Sequence, residues 1–179
     1  MRYISIDPSG SFNEGKGHTG LAIMDDNNWN SLEVYSIDAK KYNTRLDYWN
    51  AIIDFTKQDN ITVIIESFNI RNNGFLLGKM PETLLLIGAI VRDLEARNIN
   101  YVFQSPSAVK SRFKDDLLGN YIPNFEKRNK YYYLNNKCIN DHIRDALKHL
   151  LYFKKYNLKE EVSIHVDSKP KCNYSNRQY

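Results

Sequence analysis

The sequence predicts an α/β domain: a mixed five-stranded sheet, three strands in an antiparallel meander and two parallel to its first strand, flanked by helices. Three observations predict it. The N-terminal part holds three short β-rich runs joined by polar turns. The apolar spacing then lengthens to that of a helix. Beyond that point strand-like and helix-like segments alternate, as helix-linked parallel strands do.

Tyr3–Ile6 alternates and is β-rich, and it ends at Asp7 with a Pro-Ser-Gly turn. Residues 9–20 are polar and carry glycines at 10, 15, 17 and 20, a loop composition. Thr19–Met24 and Leu32–Ile37 complete the meander. From Thr44 to Lys57 the residues Leu46, Trp49, Ile52, Ile53 and Thr56 recur at helical spacing. Ile61–Ile65 is continuously apolar and β-branched, as in a strand covered on both faces, and stops at Glu66. Pro81 and Glu82 open a helix reaching Asn98, with a stripe of Leu84, Ile87, Val91 and Leu94. Tyr101–Gln104 reads as a strand, and Pro106–Leu118 as a helix capped by Ser105. Lys130–Ile139 resembles a hairpin turning at Asn135-Asn136, and His142–Tyr156 is the last helix. Residues 1–160 are therefore expected to form one domain, and residues 161–179, polar and irregular, a flexible tail.

Composition narrows the function classes. At 179 residues, 42% hydrophobic and 26% charged, the chain suits one globular domain with a buried core. It holds no apolar run of the ~18 residues that span a bilayer, and MRYISIDPSG is not a secretory leader. The two cysteines, Cys138 and Cys172, have no metal-ligand spacing, so a reducing, cytoplasmic setting is expected (host cytoplasm for a phage-encoded chain). A net charge of +4 is compatible with a polyanionic partner.

Three acids stand at unusual places: Asp7 ends the first strand, Glu66 ends the most apolar strand, and Asp145 lies inside the last helix. A carboxylate at a buried strand end is costly unless compensated, and glutamate is depleted in strands. The meander-then-crossover order makes the strands ending at Asp7 and Glu66 neighbours. Like charges placed side by side there repel, and a divalent cation relieves them. Hard cations such as Mg²⁺ take oxygen ligands, and paired ions hydrolyse phosphodiesters without a protein nucleophile. No nucleophile motif is present. On a wheel of the last helix, Ile143, Ala146, Leu147 and Leu150 form the core face, and His142, Asp145 and His149 an adjacent one. Asp141 and His142 flank Asp145 and are both candidate ligands, although Asp141 or Asn140 serves equally as the helix cap. His149 is expected to be a partly buried surface residue.

Several segments carry a family resemblance. IDPSG followed by TGLAI resembles the first two strands of RuvC-type Holliday-junction resolvases of the RNase H-like superfamily, VIIESF their second acidic strand, and HIRDAL their final helix. LLLIGAIVRDL is similar to the helix after the second acid, and PSAVK to a Pro-x-x-Val-Lys stretch. The resemblance spans residues 3–150 in order. It implies an RNase H-like fold and an Mg²⁺-dependent endonuclease (Mn²⁺ substituting) that cuts branched DNA such as four-way junctions. It also implies a catalytic and metal site at Asp7, Glu66, His142 and Asp145, with Asp141 as a substitute for His142. The longer loop before Thr19 and the segment from Asn124 to Asn140 look more like phage versions of the family.

DNA phosphates would meet basic residues flanking that site: Arg71, Lys79, Lys110, Arg112, Lys114, Lys127, Arg128 and Lys130. Phe68 and Phe75, in the loop after Glu66, either stack on a splayed base or anchor the loop. The run Glu126–Lys130 reads equally as a solvated face. The apolar surface of the Glu82–Asn98 helix fits a homodimer, which would suit a two-fold junction, or a buried central helix. Competing readings are an RNase H-type nuclease on RNA–DNA hybrids, a packaging nuclease, and an inert DNA-binding relative. Sugar-kinase and actin-like ATPases share the Asp-x-x-Gly opening but need two such halves, more chain than 179 residues supply.

Overall fold

A computed structural model describes residues 1–26, 28–68 and 82–162. Its central sheet contains β1 (Arg2–Asp7), β2 (His18–Asp25), β3 (Glu33–Asp38), β4 (Ile61–Glu66) and β5 (Asn100–Gln104), in the order β3-β2-β1-β4-β5. β1, β2 and β3 pair antiparallel, and β4 and β5 extend the sheet in parallel from β1. This is the mixed five-stranded sheet that the sequence predicts. Among the described residues the α-helices are α1 (Arg45–Ile53), α2 (Glu82–Ala96), α3 (Pro106–Arg112) and α4 (Asp141–Tyr152); α1, α2 and α4 flank the sheet and α3 packs on α4. None of the described helices is long and apolar enough to cross a membrane.

Strand alternation divides the core into two layers. Ile4 and Ile6 of β1 and Val63 and Ile65 of β4 pack with α1 and α2 through Tyr48, Ile52, Leu86 and Ile90. Tyr3 and Ile64 face the opposite way, against Ile143, Ala146, Leu147 and Leu150 of α4. Asp7 and Glu66 continue that second register. A period of two along each strand therefore turns both acids toward α4. Their strands lie in register up to the pair Ile6–Ile65, so the two carboxylates follow side by side.

The local chemistry explains the element ends. Thr44 accepts from the Asp47 amide to cap α1, and Asn140 accepts from the Ile143 amide to cap α4. Asn140, rather than Asp141, thus has the capping role. Ser105 stands at the start of α3 but its hydroxyl pairs with that of Ser107, 2.9 Å away, and makes no capping bond.

Four further departures from the sequence reading have physical causes. The helix expected over 106–118 stops at Arg112, because Phe113 turns extended to bury its ring, and a 3-10 turn over Asp115–Asn120 follows. The expected hairpin is present as β7 (Tyr131–Leu134) and β8 (Lys137–Ile139), but an unexpected strand, β6 (Phe125–Arg128), pairs with β7 and makes it a second, three-stranded sheet. Asn135 and Asn136 both take positive φ at the β7–β8 turn, the backbone that tight hairpins need. Asn129 does the same between β6 and β7, so the polar run Glu126–Arg128 becomes an outer strand. On α2 the buried stripe is Leu86, Ile87, Ile90 and Leu94, leaving Leu84 and Val91 at its margin.

Candidate metal centre

Among the described residues, Asp7, Glu66 and Asp145 form a carboxylate cluster whose ligand oxygens all lie within 4.8 Å of one another. Two arrive on adjacent parallel strand ends and the third on the helix laid across them. Asp7 is buried, and Glu66 and Asp145 are partly so.

Each acid has its own polar partner. His142 Nδ1 is 2.7 Å from Asp7 Oδ2. His149 is fully buried, with Nε2 2.8 Å from Glu66 Oε2 and Nδ1 2.9 Å from Gln104 Oε1. Lys148 Nζ donates to Asp145 Oδ1 at 2.7 Å, and Lys110 Nζ lies 2.7 Å from Asp145 Oδ2. Lys148 is itself buried and also contacts Asp115, which accepts from Arg144 Nε at 2.9 Å.

These surroundings separate the titrations of the acids. Burial pushes the Asp7 carboxyl up to about 6; the charges of Glu66 and Asp145 add to this, while the His142 hydrogen bond opposes it. Asp145 goes the other way. Burial alone would raise it, but its bonds to Lys110 and Lys148 outweigh that and hold it below the ordinary carboxylate range. On His142 the Asp7 bond outweighs burial and raises the imidazole.

The predicted site residues fall into distinct places. Asp7, Glu66 and Asp145 come together, and His142 touches the cluster through Asp7. Asp141 is exposed in the first turn of α4 and faces the second sheet. Lys110 reaches Asp145. Arg112 and Lys114 are exposed at the end of α3. Lys127, Arg128 and Lys130 lie on or beside β6, Lys127 bonded to Asp116 at 2.8 Å. Phe68 is exposed two residues after Glu66. Arg71, Phe75 and Lys79 lie outside the described residues.

His149 corrects the sequence reading: it is a core residue joining β4 and β5 to α4, because Gln104 registers opposite Glu66 and supplies its second polar contact. Lys148 and Asp115 were not singled out by the sequence. The available signal for Lys148 was its spacing of three from Asp145 on a helix.

No family model and no curated protein sequence matches the chain. Solved structures do. RuvC of Thermus thermophilus in complex with a Holliday junction substrate superposes with a TM-score of 0.57 at 16% identity, covering 92% of this chain and 99% of that one. A second Thermus thermophilus RuvC structure gives 0.56 at 16% identity over the same shares. The fold is that of RuvC. In this version of the RuvC fold, the open ends of β1 and β4 meet the N-terminal half of α4 at the carboxylate cluster.

Proposed function

We propose that the chain is a divalent-metal-dependent endonuclease that hydrolyses phosphodiester bonds in branched DNA, with four-way junctions as the leading substrate. The observation that carries this is the convergence of Asp7, Glu66 and Asp145 from two strand ends and a helix. Their donor set is all carboxylate oxygen with no thiol, which suits Mg²⁺ or Mn²⁺. Burial, with the charges of Glu66 and Asp145 added to it, raises the Asp7 carboxyl, and a bound cation would offset both.

Asp7, Glu66 and Asp145 would hold the metal. Bound divalent ions supply activation of a water and neutralisation of the leaving oxygen. The protein's own part is orientation. His142 fixes the Asp7 carboxylate, and His149, anchored by Gln104, fixes Glu66. Lys110 and Lys148 hold Asp145, and half-exposed Lys110 also brings a positive charge to the side where a phosphate must approach. Junction DNA as substrate is supported by the fold likeness to RuvC solved with such a junction. A homodimer would match the two-fold symmetry of that substrate, and α2 has surface for one, with Leu85 exposed and open space over Gly88.

The test compares four-way junction, flap, RNA–DNA hybrid and linear duplex in Mg²⁺. Cleavage of the branched substrates is expected, lost in Asp7→Asn and Glu66→Gln while DNA binding remains. Failure to cut any of them with Mg²⁺ or Mn²⁺ sinks the nuclease reading, and preference for the hybrid reassigns it to RNase H-type chemistry.

A further inference from the structure

The second sheet leaves a groove that the nuclease reading does not use. It runs between the β7–β8 end of the sheet and the start of α4, encloses about 520 Å³, and is walled by Tyr131, Tyr132, Lys130, Asp141 and Arg144. That is within the size range of small-ligand clefts. Its aromatic wall is accessible, since Tyr131 is 51% exposed.

The second sheet around these rings carries a net positive charge, although Lys127 is paired with Asp116, Arg128 with Glu126 and Arg144 with Asp115. β6, β7, β8 and their turns carry Lys127, Arg128, Lys130 and Lys137 against the single acid Glu126. Cations lie over tyrosine faces throughout: Lys130 Nζ is 5.2 Å from the Tyr131 ring centre, and the Arg128 guanidinium 4.7 Å from Tyr133. Arg144 stacks 4.4 Å over Tyr132, whose hydroxyl donates to Asp116 at 2.6 Å, so this part of the wall is rigidly held. Exposed tyrosine interleaved with lysine and arginine suits a base and its phosphate.

The geometry points to this groove as a subsite for one unpaired nucleotide of a DNA strand, its base against Tyr131 and its phosphate at Lys130. A base inside a duplex offers no free face to a ring, so the occupant is unpaired. Asp141, on the opposite wall, supplies an acceptor that favours bases carrying an amino group. The groove is lined in part by the first turn of α4, where Asp141 precedes His142, the residue that touches Asp7. The assignment rests on the nuclease reading in taking DNA as the polyanion, but it concerns binding alone.

The experiment measures binding by the full chain without cleavage, in EDTA, to a fluorescein-labelled duplex with a single-stranded tail and to the same duplex without one. Wild-type protein is expected to prefer the tailed DNA. Tyr131→Ala should weaken binding of the tailed DNA about tenfold and change the blunt duplex less than about twofold, with Tyr131→Phe retaining wild-type affinity. A 2-aminopurine in the tail should be quenched by wild type and by Tyr131→Phe, but not by Tyr131→Ala. Absence of a tail preference, or equal loss on both DNAs, overturns the subsite. Because no cutting is scored, a Tyr131-dependent tail preference stands even if no DNA is cleaved, and cleavage with an unchanged preference removes the groove alone.

Discussion

Asp7 illustrates how one residue sets a pH profile. Its carboxyl loses a proton near 3.8 in the unfolded chain and at about 6 in the fold. Between those values the unfolded chain has released a proton that the folded one keeps, so stability falls as pH rises through the window, by about 3 kcal/mol at pH 7. His142 acts in the same direction at higher pH. Its raised pKa gives stability that is present below about 6.5 and lost as pH climbs through the folded value. Asp145 is the opposite case, its stabilisation present above the usual carboxylate range and lost only as pH falls through its lowered value. The metal-free protein should therefore melt at lower temperature at pH 8 than at pH 5, and Asp7→Asn should flatten that slope and raise the pH 7 melting temperature. Calorimetry across pH checks this, and an unchanged slope in Asp7→Asn contradicts it. Asp7 was legible in the sequence because a strand ends on it. Its perturbed titration was not, since that depends first on burial beneath the rest of the fold and then on Glu66 and Asp145 arriving from elsewhere in the chain.

At the scale of elements, the decisive contact is α4 lying on β2 and β1. Gly20 permits it: a Cβ there would stand 2.1 Å from the His142 carbonyl oxygen and 2.2 Å from its carbon. The requirement is one of close approach, and the obstacle is backbone that cannot rotate away. Gly20→Ala should push the start of α4 off the sheet, costing roughly 1–3 kcal/mol and carrying His142 and Asp145 away from Asp7. Urea unfolding and Mn²⁺ titration read the two effects separately, and a variant unchanged in both would show that α4 is not held there. The helical period revealed the core face of α4 directly, through Ile143, Ala146, Leu147 and Leu150. It gave no reliable account of His149, whose burial is decided by Gln104 on β5. The second sheet was half legible. Asn135-Asn136 announced one turn, but Phe125–Arg128 is too short and polar to declare itself a strand before β7 supplies its partner.

For the molecule as a whole, the proposed metal and stability would be linked. A cation bound by the folded acids and not by the unfolded chain stabilises the fold by about 2.7 kcal/mol at a hundred times its dissociation constant. In a chain of this size that is a rise of roughly 5–10 °C, expected for wild type in Mg²⁺ and absent in Glu66→Gln. A thermal scan with and without Mg²⁺ measures it, and no shift at any concentration counts against a metal centre. The sequence by itself determined the three-strand meander, the first and fourth strands as neighbours and the three acids, because strand period, helix period and crossover rules act over short stretches of chain. Only the tertiary structure decided how those acids are held. His142 on Asp7, His149 between Glu66 and Gln104, and Lys148 between Asp145 and Asp115 join residues up to 135 positions apart. Such pairings come from the packing of α4 against strand ends, and no local pattern encodes them. The Asp7–Glu66–Asp145 cluster is thus written locally as three misplaced carboxylates and becomes a site only when the sheet closes under the helix.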